Sequence, residues 1–352
     1  MTGEVSERVL RNGVNDGFLV SEAAQPGTPG ALALEQMQKI ASGGNWRYIG
    51  SQPRGKMEIP AYYGEEGKRK KMGRFLMKLY YLLTIPISLG ILLHSKRIHP
   101  AYRLTWWKKI VFGLRVVRNR HRLRTANSYK PLLVMALKLF ELSPEVSGVV
   151  VECGTFKGGT AASLSLACKI VGRKLIVCDS FQGLPPRDSL DRFAAKYKPG
   201  DFCGSLDEVR ANITKYGDIG SCEFVQGWFQ DTLPHLDRKI VLAFIDVDLE
   251  ASLNTCVLNL WPRLVDEGYV FIDEYMSTDY CALFFSERYW KENFNRNPPG
   301  IIGAGSGLAL GEYYIGPWGE RKDHPLQHAT GSAYTRKSMS GYWAYYPSDA
   351  RG

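Results

Sequence analysis

The sequence predicts an α/β fold in which a mostly parallel sheet carries helices on both faces. Beyond residue 148, short β-branched runs alternate with helical stretches, the punctuation that repeated βα units require. The 352 residues are enough for one such domain with an added segment. With 45% hydrophobic and 23% charged residues, the composition is that of a globular chain and excludes collagen-like and wholly disordered readings.

Residues 1–67 mix Gly, Pro and small polar residues without periodicity and read as a loosely ordered extension, to which no function is assigned. Residues 68–128 read as a basic, aromatic helical segment, serving a membrane surface or acting as a lid. Inside it, Leu79 to Leu93 carries no charge, yet falls short of the ~20 apolar residues of a spanning helix. A surface-lying or buried helix is expected there; a spanning or re-entrant segment needs the count to run from Phe75 to Ser95 with Lys78 snorkelling.

The third region, 129–352, is the core domain. A helix is expected over Tyr129–Phe140, stopped before Pro144. Then follow GVVVECG, TAASLSLACKIVG, KLIVCDS, a Pro-rich loop, SLDEVRANITKYG, CEFVQG, KIVLAFIDVD, ASLNTCVLNLWPRLV and YVFIDEY, read as strand and helix in turn. Beyond Tyr275 come a helix over DYCALFFSERYWKENFN, a loop over PPGIIGAGSG, and two aromatic strand-like runs, LALGEYYIG and SAYTRKSMSGYWAYY.

The net charge of +10 is concentrated. Between Lys68 and Lys138 lie 18 of the 45 basic residues and no acid, leaving 27 bases against 35 acids elsewhere. Interleaved with Trp106, Trp107, Ile110, Val111, Phe112 and Leu114, this block suits an anionic membrane surface or an acidic partner, against the plain alternative of a solvated helix face. The seven Cys form no CxxC pair and point to a reducing compartment. The N-terminus lacks the basic start and apolar run of a secretory signal, so the expected location is cytoplasmic, peripheral to the inner face of a membrane where the basic block docks.

In open parallel sheets, ligands bind where strands end and helices begin. The first strand ends in Glu152-Cys153-Gly154-Thr155, and Gly158 and Gly159 open the next helix. The glycines let a ligand lie against the backbone, and the helix N-terminal amides favour a carboxylate or phosphate. They do not form the GxGxxG or P-loop pattern, which counts against a nicotinamide cofactor and a nucleoside triphosphate. The alternative is that they merely turn strand into helix. Asp179-Ser180 ends the second strand, where an acid accepts hydrogen bonds from both ribose hydroxyls. Gly227-Trp228-Phe229 follows the third and offers rings for adenine or for the core. The fourth and fifth strands end in Asp246, Asp248 and in Asp273, Glu274; neighbouring parallel tips lie within about 5 Å, so these acids need protons or a cation. Oxygen-only donors select Mg²⁺ or Ca²⁺, and Mg²⁺ is the expectation. The plain alternative has Asp248 capping the next helix and the fifth-strand acids paired with bases.

VVECGTFKGGTAASL, IVCDSFQGLP, GWFQDTLP, FIDVDLEAS and GYVFIDEY, in this order and spacing, resemble the macrocin O-methyltransferase family over Tyr129–Tyr289. The resemblance implies a class I methyltransferase sheet of Rossmann type. It implies methyl transfer from S-adenosylmethionine, with Mg²⁺, to a hydroxyl of a sugar, a glycosylated natural product or a glycolipid. Glu152 and Gly154 would line the methionine end of the cofactor, with Thr155, Gly158 and Gly159 beside them. Asp179 and Ser180 would serve the ribose, Gly227 and Trp228 the adenine, and Asp246, Asp273 and Glu274 the metal, with Asp246 contacting the cofactor as well. Asp248 would stand near the acceptor as proton acceptor, with His235 as second candidate.

Val247 and Glu250 stand where the family usually has Gly and Tyr, and Glu274 replaces the second of two adjacent Asp. His324 and His328 suggest a metal pair only by their spacing, and the C-terminal Tyr334, Tyr342, Trp343, Tyr345 and Tyr346 could stack on a sugar or pack a strand pair. The partners expected are a small-molecule or glycan acceptor, an anionic membrane surface through residues 68–138, and a second copy of the chain in a homo-oligomer, with no nucleic acid. Two rivals are a sugar-nucleotide oxidoreductase, which lacks its glycine fingerprint and a Tyr-x-x-x-Lys relay here, and a membrane-associated binding protein with a vestigial fold.

Overall fold

The computed structural model describes residues 67–125, 127–186, 197–274, 278–306, 310–315 and 332–337. Residues 1–66, both C-terminal histidines and the aromatics from Tyr342 onward lie outside them. The described residues from Lys71 onward form one compact unit.

Five strands run parallel: β1 (Val149–Cys153), β2 (Leu175–Asp179), β3 (Cys222–Gln226), β4 (Ile240–Ile245) and β5 (Leu264–Ile272). They are the five runs read from the sequence. Antiparallel β6 (Ile301–Ser306), β7 (Gly311–Ile315) and β8 (Ala333–Arg336) extend one edge, giving the order β3-β2-β1-β4-β5-β8-β6-β7. The order reverses at β1 and β4, which opens a crevice at their carboxyl ends.

Helices cover both faces, each over its own core. On one face α2 (Trp106–Arg122), α3 (Tyr129–Glu141), α4 (Gly159–Val171) and α5 (Leu206–Tyr216) bury Val150, Val177, Leu242 and Phe244 of the sheet. On the other, α7 (Glu250–Arg263), α8 (Thr278–Ala282) and α9 (Glu287–Phe294) cover Val151, Cys178, Ala243 and Ile245. A short α6 (Phe229–Thr232) follows β3. Successive residues of β2 feed opposite cores, which is why that strand reads as apolar up to its Asp179 tip. α1 (Gly67–His94) precedes α2, and Leu92, Phe112, Val116 and Val117 join the first core, so the basic segment packs with the sheet's helices.

Two expectations are corrected. The loop read over PPGIIGAGSG contains β6, whose glycines disguise it. Gly305 adopts φ +73° beside a register shift, and a Cβ there would meet the Lys130 and Pro131 backbone at under 3 Å, so glycine lets α3 lie against the strand. The single helix read over residues 279–295 is two, because Ser286 caps α9, accepting from the Tyr289 amide at 3.3 Å. Tyr334, left open between sugar and core, stacks on Phe271 with centroids 4.9 Å apart and is buried.

Candidate active site

The tips of β1 to β5 surround one cavity of about 440 Å³, the size range of small-ligand sites. At β1, Gly154 has φ +82°, and a Cβ there would lie 1.8 Å from the Asp246 carbonyl, so glycine lets two strand tips touch. Gly158 (φ +76°) packs against Val209, and Gly159 against Thr125; neither lines the cavity. Their glycine is required by the protein's own packing, the plain alternative weighed for this motif.

Glu152 lies fully buried beneath Thr155, whose hydroxyl donates to its Oε2 at 3.2 Å; Oε1 has no hydrogen-bond partner among the described residues. Burial pushes its carboxyl up to about 8, the Thr155 hydrogen bond opposing and the Asp179 charge adding. It does not line the cavity, whereas Thr155 does.

Asp179 is gripped by backbone. The Thr155 amide donates to Oδ2 and the Phe181 amide to Oδ1, each at 2.7 Å, while burial holds its carboxyl above the usual range. Phe156 (φ +49°) and Phe181 (φ +56°) accept left-handed conformations in these turns. The Phe156 and Ser180 amides add to this grip, and Asp179 faces the cavity. Ser180 also lines it, with its hydroxyl engaged in the turn to Gly183. Gly227, Trp228 and Phe229 complete the β3 side.

The acids of β4 and β5 stand opposite. Carboxylate oxygens of Asp246, Asp248 and Glu274 lie within 4.8 Å of one another. Asn127 Nδ2 donates to Asp246 Oδ2 at 2.9 Å, and the Ser332 hydroxyl to Asp273 Oδ1 at 2.8 Å. Burial, then the charges of Asp273, Glu274 and Asp248, hold Asp246 well above the carboxylate range; burial pushes Asp273 up to about 6. The converging trio therefore includes Asp248, while Asp273 lines the same cavity with one oxygen turned to Ser332. Such an all-oxygen set suits a hard divalent cation, and the backbone-held Asp179 suits a ribose.

His235 is not brought here. It sits exposed in the turn before β4, where Arg263 at the end of α7 donates to the adjoining Pro234 carbonyl, at the edge of the sheet away from the carboxyl tips. Residues that sequence reading missed are Arg124 and Thr125 at the wall, Asn127, Ser332, and the aromatic group Phe156, Phe202 and Tyr197. Tyr197 is hydrogen-bonded to Asp248. Phe156 lies inside the first motif without being singled out by it; the others lie outside the motifs and reach the site from the segments before α3, before α5 and before β8.

The macrocin-O-methyltransferase (TylF) family matches residues 141–298. A tetracenomycin rhamnosyl 4'-O-methyltransferase of Streptomyces olivaceus is 33% identical over 40% of this chain and 57% of its own length. Demethyldecarbamoylnovobiocin O-methyltransferase of Streptomyces niveus is 30% identical over 58% of this chain and 82% of its own. Mycinamicin III 3''-O-methyltransferase of Micromonospora griseorubida is 30% identical over 37% and 56%. The chain thus spans little more than half of two of these relatives. The solved structure of the O-methyltransferase NovP is 25% identical, with 74% of this chain and 99% of that one aligned at a TM-score of 0.47. With four-fifths of the novobiocin relative covered at 30% identity, the chain belongs to the macrocin O-methyltransferase family of S-adenosylmethionine-dependent enzymes.

Proposed function

We propose that this protein transfers a methyl group from S-adenosylmethionine to a sugar hydroxyl of a glycosylated small molecule or glycolipid, with Mg²⁺ at the β4 and β5 tips. The observation that carries the reading is the convergence of carboxylates from two adjacent strands across one cavity from a backbone-held Asp179. All three relatives are named as O-methyltransferases; two names specify a hydroxyl position, and one of these carries a rhamnosyl group.

Asp179 would hold the ribose, and the rings of Trp228 and Phe229 the adenine. Asp246 and Glu274, with Asp273 beside them, would hold the cation; Asn127 and Ser332 fix the orientation of two of these carboxylates. A bound divalent cation lowers the pKa of a coordinated hydroxyl and fixes its place. Asp248, within the same cluster and steadied by Tyr197, would take the acceptor's proton. Methyl transfer is an in-line displacement, so the chain's task is alignment of two ligands held from opposite strand tips.

Mass spectrometry after incubating the protein with S-adenosylmethionine, Mg²⁺ and a panel of rhamnosides and other deoxysugar glycosides tests this. A product heavier by one methyl group, lost with chelator and restored by Mg²⁺, is expected. Cofactor binding with undiminished transfer in chelator would overturn the role of the cation, and absence of cofactor binding the whole reading.

A further inference from the structure

Away from the cavity, α1 is built inside out. Thr84 and Ser88 are buried on its inner side with Leu92, while Leu79, Leu82, Leu83, Ile87 and Ile91, three or four residues apart apart from the adjacent Leu82-Leu83 pair, face outward. Leu82 and Leu83 are 56% and 59% exposed. A helix facing water shows the reverse pattern.

α2 continues this surface. It lies so close to α1 that a Cβ on Gly113 would fall 2.3 Å from a Leu89 methyl, and Lys109 Nζ donates to the Leu93 carbonyl at 3.0 Å. Trp107, 69% exposed, shares one face of α2 with exposed Val111 and Leu114, and Arg115, Arg118 and Arg122 follow along it. Apolar surface and positive charge therefore occur side by side.

Charge identifies what covers this face. Residues 68–138 hold 18 bases and no acid, so a second copy would set like charges against each other. Residues 1–66 carry eight acids and six bases, too nearly neutral to complement that charge. Nucleic acid would attract the arginines but offers nothing to five exposed leucines and isoleucines. An anionic bilayer satisfies both: aliphatic side chains enter the acyl boundary, tryptophans sit at headgroup level, and arginines meet anionic headgroups. No described helix is long and apolar enough to cross a membrane, so the pair would lie on it. We propose that α1 and α2 dock the protein on an anionic lipid bilayer. The stretch runs on into Arg124 and Thr125, so the docked helices lead into the cavity wall.

Co-sedimentation of the full chain with vesicles of phosphatidylcholine, alone or mixed with phosphatidylglycerol, tests the proposal. Binding to the mixed vesicles, weakening as salt rises and accompanied by a blue shift of tryptophan fluorescence, is expected. The triple variant R115Q/R118Q/R122Q should bind them on the order of 100-fold more weakly. L83Q/I87Q should lose binding at every salt concentration. These positions are exposed, so calorimetry with S-adenosylmethionine should find both variants unchanged, separating loss of docking from loss of the fold. Equal or absent binding to the two vesicle types would overturn the proposal. So would binding to duplex DNA alone, or a dimer that these substitutions dissociate.

Discussion

At the tips of β1 and β2, the Asp179 carboxylate receives backbone amides on both oxygens, and the chain itself fixes its orientation before any ligand arrives. At the tips of β4 and β5, three carboxylates approach within 4.8 Å of one another, and each raises the cost of ionising the next. The first half of the cleft is held by its own backbone; the second gathers like charges that protons or a cation would offset, and in the proposed function that division separates binding the donor from activating the acceptor.

The largest break in this comparison is Asp246→Asn. Removing one carboxylate from the cluster should lower methyl transfer by about 1,000-fold or more, while cofactor affinity by calorimetry stays within about twofold. Asp179→Ala should do the opposite. Losing hydrogen bonds from a charged acceptor to two ribose hydroxyls should weaken S-adenosylmethionine binding about 100-fold, while Mg²⁺ binding is kept.

Gly154→Ala strikes the seam between the halves. With φ at +82° and the Asp246 carbonyl 1.8 Å from the new Cβ, it should destabilise the fold by about 3 kcal/mol, read as a lower midpoint in urea. The remaining prediction is a pH dependence and concerns Glu152. Its carboxyl, pushed up to about 8, keeps a proton in the folded state that the unfolded chain releases near its ordinary 4.5. Stability from this group is therefore full below about pH 4.5 and declines by at most about 1.4 kcal/mol per pH unit until about pH 8. Glu152→Gln should flatten that decline, seen in urea melts across the same range.

The parallel strands and their acidic tips were legible in the sequence because a buried strand must be an apolar run and its ligand-facing tip must not be. β6 was hidden because its glycines, needed for contact with α3, deplete the strand signal. Asn127 and Ser332 were invisible because each acts through one hydrogen bond to an acid more than 50 residues away. His235 looked suitable by chemistry alone; its chain position before β4, at the sheet's amino edge, removes it from the cluster. The inverted face of α1 was equally illegible, since an uncharged run does not tell which of its sides is covered.

Titration calorimetry of the wild-type chain with Mg²⁺, repeated on Asp246→Asn, tests the central claim most directly. One saturable site per chain in the wild type and none in the variant is the predicted result. Identical titrations of the two proteins, or no binding by the wild type with cofactor present, would contradict it.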